Sequence, residues 1–210
     1  MNKDKKRNKK KKRKQIVDST TVVNTSDGVK NDISNKISER SREKTEKKVT
    51  CIVGDSLIKN MKGWELNKKL KNDIAVVKSF PGATIECMKD YIQPTLRKNP
   101  DRIIIHIGTN DLKSEITASK LSKNIINLAK SCSDAGSVVA ISSLITRGDN
   151  LKGKLEAVNE ILKKSCSDRN IGFIEHGNIL ENDLNGSKIH LNKKGSDKLD
   201  NNIIDFINKF

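Results

Sequence analysis

Aromatic side chains are scarce in this chain, which carries one Trp, one Tyr and four Phe in 210 residues. So few rings leave no interleaved platform for stacking bases, and that argues against a base-stacking mode of nucleic-acid binding. Long apolar runs are missing too. No stretch approaches the ~18 residues of a membrane span, and the N-terminus has no apolar segment of the kind a secretory signal needs. An intracellular setting, cytoplasmic or nuclear, is expected. Cysteine occurs four times, at Cys51, Cys87, Cys132 and Cys166, each inside an apolar pattern. There is no C-x-x-C pair and no histidine at zinc-ligand spacing, so reduced core thiols are expected and neither a structural metal nor a disulfide. No internal repeat is visible.

What is abundant is positive charge, and it is uneven. The net charge is +16, of which residues 1–50 supply +10 through 17 Lys or Arg against 7 acids. Residues 1–14 are almost wholly basic, and those up to 48 are mostly Ser, Thr, Asn, Asp and Lys. Such a segment cannot offset the entropy of ordering, so residues 1–48 read as a disordered basic tail. Residues 49–210 are then one domain, long enough to bury a core without metal or disulfide support.

Within that domain, β-branched apolar runs alternate with segments of helical period, the pattern of a parallel sheet covered on both faces. Strands are expected at Val49–Gly54, Ile74–Ser79, Arg102–Gly108, Ser137–Ser143 and Ile171–His176. Leu121, Ile125, Leu128 and Cys132 make one apolar helix face. Leu151, Leu155, Val158 and Leu162 make a second, and Leu199, Ile203, Phe206 and Phe210 a third. Ile85, Met88 and Ile92 make a shorter face, expected to end near Gln93 because Pro94 disfavours helix in the residue before it. In such a fold the active groups gather where loops leave the carboxyl ends of the strands.

Those ends hold the polar residues of interest. After the first strand come Gly54-Asp55-Ser56 and then what reads as the start of a helix. Ser56 is either a nucleophile at a helix N-terminus, where free N–H groups favour developing negative charge, or it shares with Asp55 the role of an N-cap. After the second strand, Gly82 in Phe80-Pro81-Gly82-Ala83 either aims its N–H into a site or makes an ordinary turn. After the third, Asn110 in Gly108-Thr109-Asn110-Asp111 either donates to an oxyanion or forms a turn or cap. Asp111 reads as a cap for the following helix or a partner for a nearby Lys. After the fifth, His190 in Ile189-His190-Leu191-Asn192 is placed to act as a base. His176, at a strand end, is its nearer rival, whereas His106 reads as a core or edge residue within a strand.

In order and spacing these residues resemble the SGNH (GDSL-type) hydrolases. IVGDS resembles that family's first block with its nucleophile at Ser56, FPGAT the second with its oxyanion glycine at Gly82, IIIHIGTND the third with Asn110, and SKIHLNKKG the last with its histidine at His190. The resemblance covers Val49 to Phe210. It implies an α/β fold, a flavodoxin-like three-layer α/β/α sandwich with a parallel five-stranded sheet of order 2-1-3-4-5. It also implies serine-dependent hydrolysis of ester or acyl bonds in a small-molecule or acylated substrate, without metal or organic cofactor. The oxyanion would rest on the N–H groups of Ser56 and Gly82 and the amide of Asn110. One part departs from the pattern: the family usually has an aspartate three residues before the histidine, and Ser187 stands there. His190 is then oriented by Ser187 or a backbone carbonyl in a dyad, or by Asp183 reaching back from the same loop, or the hydrolase has decayed.

The basic tail keeps a second class open. A tract such as KKRNKKKKRK suits nuclear import, nucleic-acid phosphates or an acidic membrane surface equally well. The alternative to an enzyme is therefore an inactive SGNH-like module that binds nucleic acid or travels with a mobile element. The presence of Ser56, Gly82, Asn110 and His190 together favours the enzyme. Between the two classes, a basic groove across the sheet edge at Ser56 would favour a polyanionic ligand, and a neutral or apolar cleft an acyl ester.

Overall fold

In a computed structural model that describes residues 46–209, the β-branched runs become five parallel strands in the order β2-β1-β3-β4-β5. They are β1 (Lys48–Gly54), β2 (Asp73–Ser79), β3 (Arg102–His106), β4 (Val138–Ser142) and β5 (Gly172–Ile174). The helices between and after them are α1 (Gly63–Asn67), α2 (Ile85–Tyr91), α3 (Gln93–Leu96), α4 (Ala118–Asp134), α5 (Lys152–Ser167) and α6 (Lys193–Lys209). Single tight helical turns follow β1 at Ser56–Ile58, β3 at Asp111–Lys113 and β5 at Glu181–Asp183. The basic tail read from the sequence lies outside the described residues except for its last three, and Lys48 already belongs to β1. Phe210, expected on the last helix face, also lies outside them.

Side chains alternate across a strand, so a run buried on both sides feeds two cores. Cys51, Val53, Ile103, Ile105 and Ile141 face one way, where α2, α4 and α5 bring Ile85, Met88, Leu121, Ile125, Leu128, Leu155, Val158 and Leu162. Ile52, Ile104, Ala140 and Ile174 face the other, against Leu66 of α1 and Leu199, Ile203, Ile204 and Ile207 of α6. This is the three-layer α/β/α sandwich. At the amino edge of the sheet, Asp73 accepts from the hydroxyl of Thr50 at 3.0 Å and from the guanidinium of Arg102 at 2.8 Å, tying β2, β1 and β3 together around a buried ion pair.

Three local expectations differ from the structure. Cys51, Cys132 and Cys166 are buried free thiols, but Cys87 is exposed, because Ile85 and Met88 take the inward face of α2 and turn the two residues between them, Glu86 and Cys87, outward. Helix α2 ends at Tyr91, close to the expected Gln93, but a second short helix, not an extended segment, follows at once. Gln93 opens α3 with the proline in its first turn, where the missing N–H costs nothing. Strands β3 and β5 are shorter than the apolar runs that announce them, β3 ending before Gly108, whose φ of +120° leaves the strand region.

The chain steps from β1 out to β2 and then returns across β1 to β3. Loops leaving β1 and β3 therefore diverge and open a crevice at the carboxyl edge, the place where doubly wound sheets bind ligands.

Candidate active site at the carboxyl edge of the sheet

Gly54 ends β1 so close to β3 that a Cβ there would lie 2.5 Å from the carbonyl oxygen of His106. Only glycine lets the two strands meet at this point. The next residues are fixed by backbone bonds: the Asp55 N–H donates to His106 at 3.2 Å, the Phe80 N–H to Gly54 at 2.8 Å, and the Ser79 hydroxyl to the Asp55 carbonyl at 2.8 Å. Asp55 is the cap, accepting from the Leu57 N–H at 2.9 Å. Burial pushes its carboxyl up to about 6, and its second oxygen is buried without a partner. Ser56, half-buried, opens the turn with its hydroxyl and its N–H committed to no partner among the described residues. The helix expected after Ser56 is this one turn, so local N–H groups, and not a long helix dipole, are what it offers an anion.

Gly82 turns the β2–α2 loop with φ +81°, which a side chain would strain, and its N–H is likewise uncommitted. Asn110 makes no cap on its own turn. Its amide instead donates across to the Ala83 carbonyl at 2.8 Å, leaving its second N–H free. Asp111 caps a helix, but α2 and not the one that follows it, accepting from the Ile85 N–H at 3.2 Å. Asn110 and Asp111 thus pin the loop holding Gly82 to the end of β3.

His190 lies in a loop closed by an antiparallel bridge between Leu184 and Leu191 and by the Asn185 N–H donating to the His190 carbonyl at 2.7 Å. The Gly148 N–H donates to the Lys188 carbonyl at 2.9 Å, which ties this loop to the one after β4, and Lys59 after β1, Lys113 after β3 and Arg147 after β4 act on the ring. Desolvation and these three cations hold its imidazole below the ordinary value. Nδ1 of His190 is buried with no hydrogen-bond partner. Among the described residues no hydrogen bond joins the ring to Ser56, Ser187 or Asp183. The Ser187 hydroxyl donates to Asn185 Oδ1 at 2.5 Å and accepts from the Ile189 and His190 backbone N–H groups, so it shapes the loop without reaching the ring. Asp183 is fully buried, paired with Lys198 at 2.6 Å and accepting from the Leu180 N–H at 2.9 Å, so it anchors α6 and neither reaches back to His190 nor sits solvated in a loop.

Residues 52–198 match the model of the GDSL-like lipase/acylhydrolase family. The chain belongs to this family. No curated sequence relative matches it, and solved structures carry the comparison further through the fold. A GDSL-like lipase from Bacteroides thetaiotaomicron superposes with a TM-score of 0.67 at 14% identity, over 85% of this chain and 96% of that one. A psychrotrophic esterase, EstA, from Pseudoalteromonas superposes with a TM-score of 0.65 at 19% identity, over 77% and 97%. A lipase/acylhydrolase from Enterococcus faecalis gives 0.64 at 16%, over 77% and 96%. As a member of the GDSL-like family, the chain has the α/β sheet order 2-1-3-4-5 shared with such structures.

Against that family background, two features stand out that the sequence did not signal. The first is Arg147, whose guanidinium is buried, paired with Asp149 at 2.5 Å and directed to the Thr109 carbonyl at 3.5 Å. It occupies the loop after β4, the one strand end with no candidate; its only trace in sequence is an arginine two residues before an aspartate ahead of a helix. The second is a polar chain beneath the edge: Asn202 donates to His176 Nδ1 at 3.0 Å, His176 Nε2 meets Ser142 Oγ at 2.7 Å, and Ser142 Oγ meets His106 Nδ1 at 2.8 Å. Taking the Asn202 amide as donor assigns the proton of His176 to Nε2 and the Ser142 hydroxyl proton toward His106. Burial depresses both imidazoles, His106 to about 4 and His176 to about 3, so both are neutral near pH 7. His176 is thereby committed to the interior and is no rival to His190. Among the described residues no three His, Cys, Asp or Glu side chains converge as metal ligands would, and no helix is long and apolar enough to cross a membrane.

Proposed function

We propose that this family member hydrolyses ester or acyl bonds of a small-molecule or acylated substrate, with Ser56 as nucleophile and His190 as base. The observation that carries the reading is the reach of Asn110 to Ala83. A turn-forming or capping Asn would satisfy its own loop; this one fastens the Gly82 loop beside the end of β3 and keeps one N–H to spare. The N–H groups of Ser56 and Gly82 and the Asn110 amide form the oxyanion donors, at a site where Asp55 has relieved Ser56 of capping.

In this mechanism His190 takes the Ser56 proton as the hydroxyl attacks the carbonyl, returns it to the leaving alcohol, and then activates water against the acyl-enzyme. The depressed imidazole is neutral, and so competent as a base, at neutral pH. The same three cations oppose the imidazolium that forms, and no acceptor holds the Nδ1 proton. The activity is therefore that of a slow hydrolase, short of one carboxylate.

A fluorophosphonate probe tests this directly, a choice supported by the inhibition of the Pseudoalteromonas esterase by monoethylphosphonate. Labelling of the full chain at Ser56, mapped by peptide mass spectrometry and lost in Ser56→Ala and His190→Ala, is the expected result. Folded protein that takes up no label over hours would remove Ser56 from the chemistry.

A further inference from the structure

The loops that carry the proposed catalytic groups also carry cations in register with them. Lys59 follows Ser56 by three residues and ends its turn, Lys113 follows Asn110 by three and ends its turn, and Lys188 precedes His190 by two. All three side chains are exposed, and none forms an ion pair among the described residues. The Gly148 N–H donates to the Lys188 carbonyl at 2.9 Å, which brings the loop of Lys188 against that of Arg147. Apart from Glu115, exposed two residues after Lys113, the acids of this edge are committed elsewhere. Asp149 pairs with Arg147, Glu181 with Lys152 and Asp183 with Lys198, while Asp111 accepts from Ile85 and Asp55 is buried under its own turn. Glu181 alone also feels Lys188. Each of the three loops that carry Ser56, Asn110 and His190 therefore carries an exposed ammonium group with no ion pair among the described residues, and Lys59 and Lys113 act on the His190 imidazole.

We infer that the ester processed here carries an anionic group, carboxylate or phosphate, which Lys59, Lys113 and Lys188 receive beside the scissile bond. This rests on the hydrolase reading and deepens it, because it answers the missing aspartate. When His190 takes the serine proton, a fourth positive charge forms among Lys59, Lys113 and Arg147, with no carboxylate at Nδ1 to balance it. A substrate anion held by the lysines supplies that balance from the other side, and only while substrate is bound. A neutral ester leaves the imidazolium unopposed, so selectivity for charge appears in turnover as well as in binding.

The test compares two umbelliferyl esters of similar size, the neutral butyrate and the anionic hemisuccinate, using the full chain at low and high salt. Three exposed cations acting at the strength of surface ion pairs give the hemisuccinate an advantage of about tenfold in kcat/KM. That advantage should shrink at 0.5 M NaCl and fall toward unity in the Lys59→Ala/Lys113→Ala/Lys188→Ala variant, and a Lys113→Glu variant should disfavour the anion. Inorganic phosphate and succinate, added at constant ionic strength, compete to different degrees, and the stronger competitor names the group received. Equal turnover of both esters, or a preference for butyrate, overturns the inference while leaving the hydrolase standing. No turnover of either ester together with no labelling of Ser56 overturns both.

Discussion

Under the proposed mechanism, replacing Ser187 by aspartate should raise the rate of hydrolysis, by an amount set by the hydrogen bond it would add at His190. Nδ1 of His190 is buried and unpartnered, while the Ser187 hydroxyl already accepts from the His190 backbone N–H at 3.4 Å and from Ile189 at 3.3 Å. The prediction is that a carboxylate at position 187, one bond longer, keeps those two bonds and brings its second oxygen to Nδ1. The cost is the bond to Asn185 Oδ1, which the Ser187 N–H still satisfies at 3.1 Å. A hydrogen bond to a charged group contributes about 1.5–3 kcal/mol, and each 1.36 kcal/mol is a factor of ten in rate, so kcat/KM should rise by about 10- to 150-fold. The pH profile should move with it. In the wild type, desolvation, Lys59, Arg147 and Lys113 hold His190 below the usual imidazole value, so the acid limb of kcat/KM lies below about 6.5. Because the general base must be neutral, a carboxylate that stabilises the imidazolium shifts that limb upward. Stopped assays with umbelliferyl hemisuccinate from pH 5 to 8 read both effects, and Ser187→Asn, which can accept from Nδ1 without charge, should recover part of the rate with little movement of the limb. A folded Ser187→Asp protein with an unchanged rate and an unmoved limb would refute the assignment of His190 as base and position 187 as its neighbour.

Three further outcomes follow from the same geometry. Asn110→Ala removes the proposed oxyanion donor and the strut to Ala83 and should lower kcat by about a hundredfold or more, measured beside fluorophosphonate labelling at Ser56. Gly54→Ala places a Cβ 2.5 Å from the His106 carbonyl, a backbone atom that cannot turn aside, and should cost about 3 kcal/mol in urea denaturation; a change within 1 kcal/mol would show that β1 and β3 separate easily. His176, depressed to about 3 when folded and near 6.5 when unfolded, binds its proton in the unfolded chain first, so its contribution falls as pH drops below 6.5. Between pH 7.5 and 5 that loss is about 2 kcal/mol, and His176→Gln should lose about that much less stability over the same interval than wild type does. Asp55 and Asp200, both raised to about 6, act in the opposite sense in both proteins and cancel from the difference.

The fold was legible because burial on two faces writes itself into composition. Ile103, Ile104 and Ile105 are successive residues serving opposite cores, and only a strand covered on both sides tolerates such a run. Ser56, Gly82 and Asn110 lie within a few residues of the ends of β1, β2 and β3, so topology alone brings them to one edge, whereas His190 lies well past the end of β5 and is reached through its motif. What the sequence concealed are relations that exist only after packing. His106, Ser142 and His176 are separated by 36 and 34 positions, and they form one chain because β3, β4 and β5 are neighbours in register. Arg147 and Asp183 belong to the residue types least often buried, so a reading from composition places both in solvent. Each is held inside by opposite charge, Asp149 for Arg147, and Lys198 with the more distant Lys194 for Asp183. The capture of Asp183 by Lys198 bears on function as well as on stability. With Asp183 spent on anchoring α6, the imidazole of His190 is left beside Lys59, Arg147 and Lys113, and under the proposed mechanism its counter-charge enters with the substrate or is engineered at position 187.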